Sequence, residues 1–161
     1  MLPGAGYGGY LKLSELVAKG TLLFNEVLLE YEDGNVFANG KIIQGVHIQE
    51  KVVRITGIHY TSWENATQIR SMLRIEPSLQ DPFVYISAPG SMTGWAEEEI
   101  KRELGTRAAD SEVCVRIVMP LDLVWLKCSR KVVHLAIAGI VSEMNIQNLQ
   151  IKRVEQARYG S

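Results

Sequence analysis

His59 closes an apolar run, Val52-Val-Arg-Ile-Thr-Gly-Ile-His-Tyr60, directly before Thr61-Ser-Trp-Glu64. An imidazole at a strand end sits at the mouth of a cleft, where its two nitrogens can bond a sugar hydroxyl. Tyr85 follows in Phe83-Val-Tyr-Ile86, where its ring either stacks on a flat ligand or packs in the core. Glu143 lies within the apolar stretch Ile140-Val-Ser-Glu-Met144. A carboxylate buried there without a partner is costly, so it is either exposed on one face or placed for function. Each residue alone also has an ordinary structural reading.

The elements around them follow from pattern. The run ending at Tyr60 is rich in β-branched residues and reads as a strand. Thr61-Ser-Trp-Glu64 fits the Ser/Thr-x-x-Glu box that opens a helix. Ala66, Ile69, Met72 and Leu73 recur at helical spacing, and Pro77 ends the run. Arg70 and Arg74 fall one turn apart on that helix. Further strands are expected at Phe83–Ile86, Val113–Met119, Leu123–Leu126 and Val132–Ile137, with a helix from Trp95 to Leu104 between the first two. Residues 140 to 154 suit one or two strands with a turn near Asn145, which places Glu143 in a strand.

The N-terminal part differs in character. Gly4, Gly6, Gly8 and Gly9 mark a flexible lead-in, and no strand precedes them as a dinucleotide fingerprint would require. A short helix spans about Leu11 to Lys19. Asp33-Gly34 and Asn39-Gly40 are hairpin turns within a β-meander over residues 22–48. The chain thus divides into residues 1–56, a glycine-rich lead-in with an accessory meander, and residues 57–161, which hold the chemistry. The fold class is α+β: a mostly β core of two packed sheets with one or two helices, preceded by the meander.

Composition excludes several classes. With 161 residues, 47% of them hydrophobic and 22% charged, the chain has enough material for its own core. The net charge of −1 is not that of a non-specific nucleic-acid binder. Cys114 and Cys128 stand in apolar runs and read as reduced core thiols. No cysteine or histidine spacing suggests a metal site. There is no apolar run long enough for a spanning helix, so no membrane is implied.

Together, Gly57-Ile-His-Tyr-Thr-Ser62, Pro77-Ser78, Val84-Tyr-Ile-Ser87, Ser142-Glu-Met-Asn-Ile146 and Ile151-Lys-Arg-Val154 resemble toxin-type ADP-ribosyltransferases of the histidine–tyrosine–acid group. The resemblance spans roughly residues 57–155 and implies an ADP-ribosyltransferase-like fold that uses NAD+ as substrate. It implies three catalytic residues. His59 would hold a ribose, Tyr85 would stack on the nicotinamide, and Glu143 would bond the ribose 2′-hydroxyl and stabilise an oxocarbenium-like transition state. Tyr60, Thr61 and Ser62 join His59 and Tyr85 in binding the cofactor. Some members carry an aspartate third, for which Asp122 and Asp110 are the alternatives.

The absence of a Glu-x-Glu or Gln-x-Glu pair gives no support for arginine as acceptor. The resemblance implies an intracellular macromolecular acceptor, protein or nucleic acid, and the sequence does not say which. The lead-in without an export signal fits the toxin module of a larger bacterial effector, secreted or injected, acting in the target-cell cytoplasm. An immunity protein is a partner common to such toxins. The competing readings are an NAD+ glycohydrolase, an RNA 2′-phosphotransferase, and a non-enzymatic β-rich interaction module.

Overall fold

Short alternating runs, broken by residues that tolerate positive φ, produce most of the architecture. The computed structural model describes residues 9–129 and 131–154. In chain order the elements are β1 (Tyr10–Lys12), α1 (Leu13–Lys19), β2 (Thr21–Phe24), β3 (Val27–Glu32), β4 (Asn35–Ala38), β5 (Lys41–Ile42) and β6 (Val46–Gln49). They continue with β7 (Val52–Thr61), α2 (Trp63–Met72), β8 (Phe83–Ile86), α3 (Glu97–Leu104) and β9 (Ser111–Pro120). A 3-10 turn (Leu121–Leu123) leads to β10 (Val124–Cys128), β11 (Val133–Ala138) and β12 (Ile146–Arg153). Among the described residues no helix is long and apolar enough to cross a membrane.

The chain is α+β, with strands dominating. Among the described residues they form three four-stranded sheets ordered β2-β3-β4-β5, β12-β9-β7-β6 and β1-β10-β11-β8. The meander is a sheet in its own right. Asp33 and Gly34 (φ 51° and 85°) and Asn39 and Gly40 (φ 50° and 82°) make its two-residue turns, as a positive φ at both positions requires. A third turn, at Asn25 and Glu26, has the same geometry without a glycine and opens the meander one strand earlier.

Three expectations are corrected. The meander does not run to residue 48: β5 ends it, while β6 pairs with β7 in the next sheet. Part of the lead-in is ordered, because β1 pairs with β10; Gly4, Gly6 and Gly8 lie outside the described residues. The helix after His59 starts one residue later than the box implies. Ser62 is its cap, accepting the Asn65 amide at 3.0 Å, and the helix ends at Met72 with Leu73 in the left-handed conformation, before Pro77.

The main hydrophobic core runs from Leu13, Leu16 and Leu29 to Ile55, Ile117, Leu126 and Ile137, and a second cluster of Tyr60, Met92, Ile100, Leu104 and Ala109 lies apart from it. Strand β7 continues unbroken across residue 56, and the core is continuous there too. Cys128 is buried and Cys114 half-buried, both as free thiols.

Candidate functional site

The site grows from a mismatch in strand length. β7 has ten residues and pairs with β9 along its whole length, whereas β6 has four and covers only Val52 to Ile55. Beyond that point the edge of β7 is open. The sheet carrying β8 touches it at one bridge, where Ile58 N–H donates to the Ser87 carbonyl at 2.9 Å and Ser87 N–H to the Ile58 carbonyl at 2.8 Å. Gly57 permits this approach: a Cβ there would lie 2.5 Å from Ile86 Cγ2 and 2.7 Å from the Ser87 carbonyl oxygen.

Next to the bridge a cleft of about 640 Å³ opens between the ends of β7 and β8, helix α2 and the loop after α3. His59, Tyr60 and Thr61 line one side, with Asn65, Gln68 and Met72 from α2. Residues 76–81 and Tyr85 line another, and residues 104–107 a third.

His59 is half-buried and its Nδ1–H donates to the Tyr85 carbonyl at 2.9 Å. A carbonyl only accepts, so the proton is on Nδ1 and Nε2 carries the lone pair. Burial pushes the imidazole below its usual pKa, and the Tyr85 carbonyl only partly offsets it. His59 is therefore neutral at pH 7 and Nε2 is an acceptor. Thr56 N–H donates to the Gly45 carbonyl and Ile58 exchanges both its bonds with Ser87, so even-numbered residues of β7 face the open edge. By the same alternation the main-chain N–H and C=O of Tyr60 point to that edge.

Tyr85 is held by its hydroxyl. The O–H donates to Asp81 Oδ2 at 2.5 Å and lies 2.5 Å from the Tyr10 hydroxyl. Burial, then Asp81 and Tyr10, hold the phenol far above its ordinary pKa, so it stays protonated. The Lys127 ammonium sits 4.9 Å from the ring centroid. One face of Tyr85 thus already has a cation over it, which restricts stacking to the rest of the ring. Burial lowers the Lys127 pKa against the pull of Glu103 and Asp81.

The remaining expected residues separate. Tyr60 lines the cleft but is mostly buried, its phenol pushed up by burial and then by Glu112. Thr61 Oγ1 accepts from Asn65 Nδ2 at 2.8 Å. Ser62 is occupied as the helix cap and is not part of the cleft lining. Arg74 lines the cleft beyond the helix end, paired with Glu76 at 2.8 Å, while Arg70 is exposed and outside it.

Glu143 is not in a strand. It is exposed in the turn before β12 and does not line the cleft. That turn is made by Asn145, whose Oδ1 accepts from the Ser142 amide and hydroxyl, both at 3.0 Å. Asp122 is exposed in the 3-10 turn after Pro120, which pairs with Val52; His59 pairs with Val113, about 23 Å along the strand. Asp110 lies near His59, just past the Thr61–Ser111 pair, with its carboxylate accepting from Ser111 Oγ. Among the described residues the carboxylates that line the cleft are Glu76 and Asp81. Asp81, Lys127 and Tyr10 were not foreseen; their one local signal is Asp81 before Pro82 at a strand start.

No protein-family model matches this chain, nor does any curated protein or solved structure.

Proposed function

We propose that the cleft binds NAD+ through its nicotinamide riboside half and that the protein transfers ADP-ribose to an intracellular macromolecular acceptor. The observation that carries this reading is the end of β7. There the Tyr60 main chain offers one donor and one acceptor, beside an imidazole fixed as a neutral acceptor at Nε2. A planar carboxamide, with its own acceptor and donor, pairs with such an edge as another strand would. The ribose attached to that ring then brings a hydroxyl within reach of Nε2. The resemblance of Gly57-Ile-His-Tyr-Thr-Ser62 and Val84-Tyr-Ile-Ser87 to the histidine–tyrosine–acid group points the same way.

In the reaction the N-glycosidic bond breaks and its electron pair leaves with the nicotinamide. The acceptor's nucleophile bonds the ribose carbon and loses its proton to solvent or a neighbouring base. His59 orients the sugar, and Tyr85 flanks the leaving ring. Asp81 takes the place expected of Glu143, as the cleft carboxylate bonded to Tyr85; negative charge there favours the oxocarbenium-like transition state. In keeping with the resemblance, the protein acts as a toxin module of a bacterial effector.

Labelled NAD+ tests the reading. Nicotinamide release that needs cell lysate, with label on a macromolecule, is the expected result. Release without lysate and without label on any acceptor indicates a glycohydrolase. No release in either case, or full release by His59→Ala, removes the proposal.

A further inference from the structure

Behind the cleft lies a chain of polar side chains that no step above uses. The β10–β11 register places Lys127 opposite His134, and one step beyond the Leu135–Ile86 pair Ser87 meets His134 from β8. Ser87 Oγ is 3.0 Å from His134 Nδ1, and His134 Nε2 is 3.0 Å from Glu103 Oε2 on α3. Ser129 Oγ, after β10, donates to the same carboxylate oxygen at 2.8 Å. Ser87 and His134 are each 1% exposed.

The proton positions follow. Burial works to raise the Glu103 carboxyl, but the bonds from His134 and Ser129 hold it below its usual range, so it is ionised. An ionised carboxylate only accepts, hence Nε2 of His134 carries a hydrogen. Nδ1 of His134 meets the Ser87 hydroxyl on the other side of the ring. The order serine, histidine, acid is that of a hydrolytic triad, but Ser87 is sealed from solvent and does not line the cleft. An apolar trio of similar volume would pack at least as well. What the polar chain adds is direction, since each bond is made in one geometry only.

We propose that Glu103, His134 and Ser87 form a positioning relay that holds the β7–β8 junction, and through it the placement of His59 against Tyr85. Ser87 is the residue whose main chain makes both bonds to Ile58, immediately before His59. It stands two residues after Tyr85, whose carbonyl receives the His59 proton. Lys127 faces both ends, its Nζ 3.4 Å from the Glu103 carbonyl and over the Tyr85 ring. Loosening Ser87 frees the bridge, and water then reaches the His59 ring.

The chain's three histidines make this measurable by proton–nitrogen NMR of their imidazoles, with exposed His47 as internal control. In the unaltered protein His59 is expected as the neutral Nδ1–H form with a depressed titration. Ser87→Ala should move its titration up toward the ordinary imidazole value and broaden or shift its Nδ1 signal, leaving His47 alone. Glu103→Ala should do the same, whereas Glu103→Gln, which keeps an acceptor oxygen for His134, should stay close to the unaltered protein. Unchanged His59 signals in folded Ser87→Ala and Glu103→Ala overturn the relay; if Ser87→Ala does not fold, Glu103→Ala decides alone. Only the consequence for turnover rests on the NAD+ reading, where nicotinamide release should fall in the same variants. Absence of release in the unaltered protein defeats that reading and leaves the imidazole test intact.

Discussion

The Nδ1–H of His59 donates to the main-chain carbonyl of Tyr85 at 2.9 Å, joining residues 26 apart in the chain and on different sheets. Neither functional end is consumed by this bond. Nε2 remains an acceptor, and the Tyr85 ring is governed by its own partners, Asp81, Tyr10 and Lys127.

Acid should weaken the fold through His59. An unfolded imidazole binds its proton near 6.5, and the folded one only at lower pH because it is buried. Between those values the unfolded chain holds more protons, so stability is full above the unfolded pKa and falls as pH drops toward the folded one. Urea midpoints compared at about pH 7.5 and about pH 5.5 should fall more in the unaltered protein than in His59→Gln. Equal losses would show that His59 is not depressed.

Nicotinamide release should follow the same group. The acceptor at Nε2 exists only in the neutral ring, so release should persist through the ordinary imidazole range and fall below it. A rate already halved at the ordinary imidazole pKa of 6.5 would contradict the assignment.

The carboxylates should separate clearly. Glu143→Gln alters an exposed turn, and release is expected within a few-fold of the unaltered protein, with stability within about 0.5 kcal/mol. Asp81→Asn removes the negative charge bonded to Tyr85 and should cost about 10²–10³-fold in rate. The reverse ranking in steady-state assays would return the role to Glu143.

Tyr85→Phe should be a stability variant as well as a kinetic one. It leaves the partly buried Asp81 carboxylate with the Phe83 amide as its remaining hydrogen-bond donor. A loss of about 1–3 kcal/mol in urea unfolding is expected for taking a donor from such a partly buried carboxylate. No change would mean that water replaces the hydroxyl freely.

Local signals were readable and distant ones were not. The Asp33-Gly34 and Asn39-Gly40 turns, the strand ending at Tyr60 and the helix after Ser62 depend on residues a few positions apart, and the chain folds there as the pattern implies. Glu143 misled because Ile140, Val141, Met144 and Ile146 look like one alternating strand. Asn145 reaches back to Ser142 and across to the Val118 carbonyl on β9, and turns the chain instead. A Ser-x-x-Asn spacing was the available hint. Asp81, Lys127 and Tyr10 meet Tyr85 only through sheet register and a loop, which no short window of sequence contains.

Strand β6 acts as a ruler. It stops covering β7 at Ile55, where Gly45 takes the chain away at φ 81° with its Cβ position only 2.0 Å from the Thr56 carbonyl oxygen. No other residue fits that departure without moving β7. Were β6 three residues longer, its backbone would reach Ile58 and occupy the edge that Ser87 now touches, and five residues would carry it alongside Tyr60. The width of the cleft is therefore dimensioned by a segment that lines none of it, so an insertion near Gly45 would close the pocket while leaving every residue in it intact.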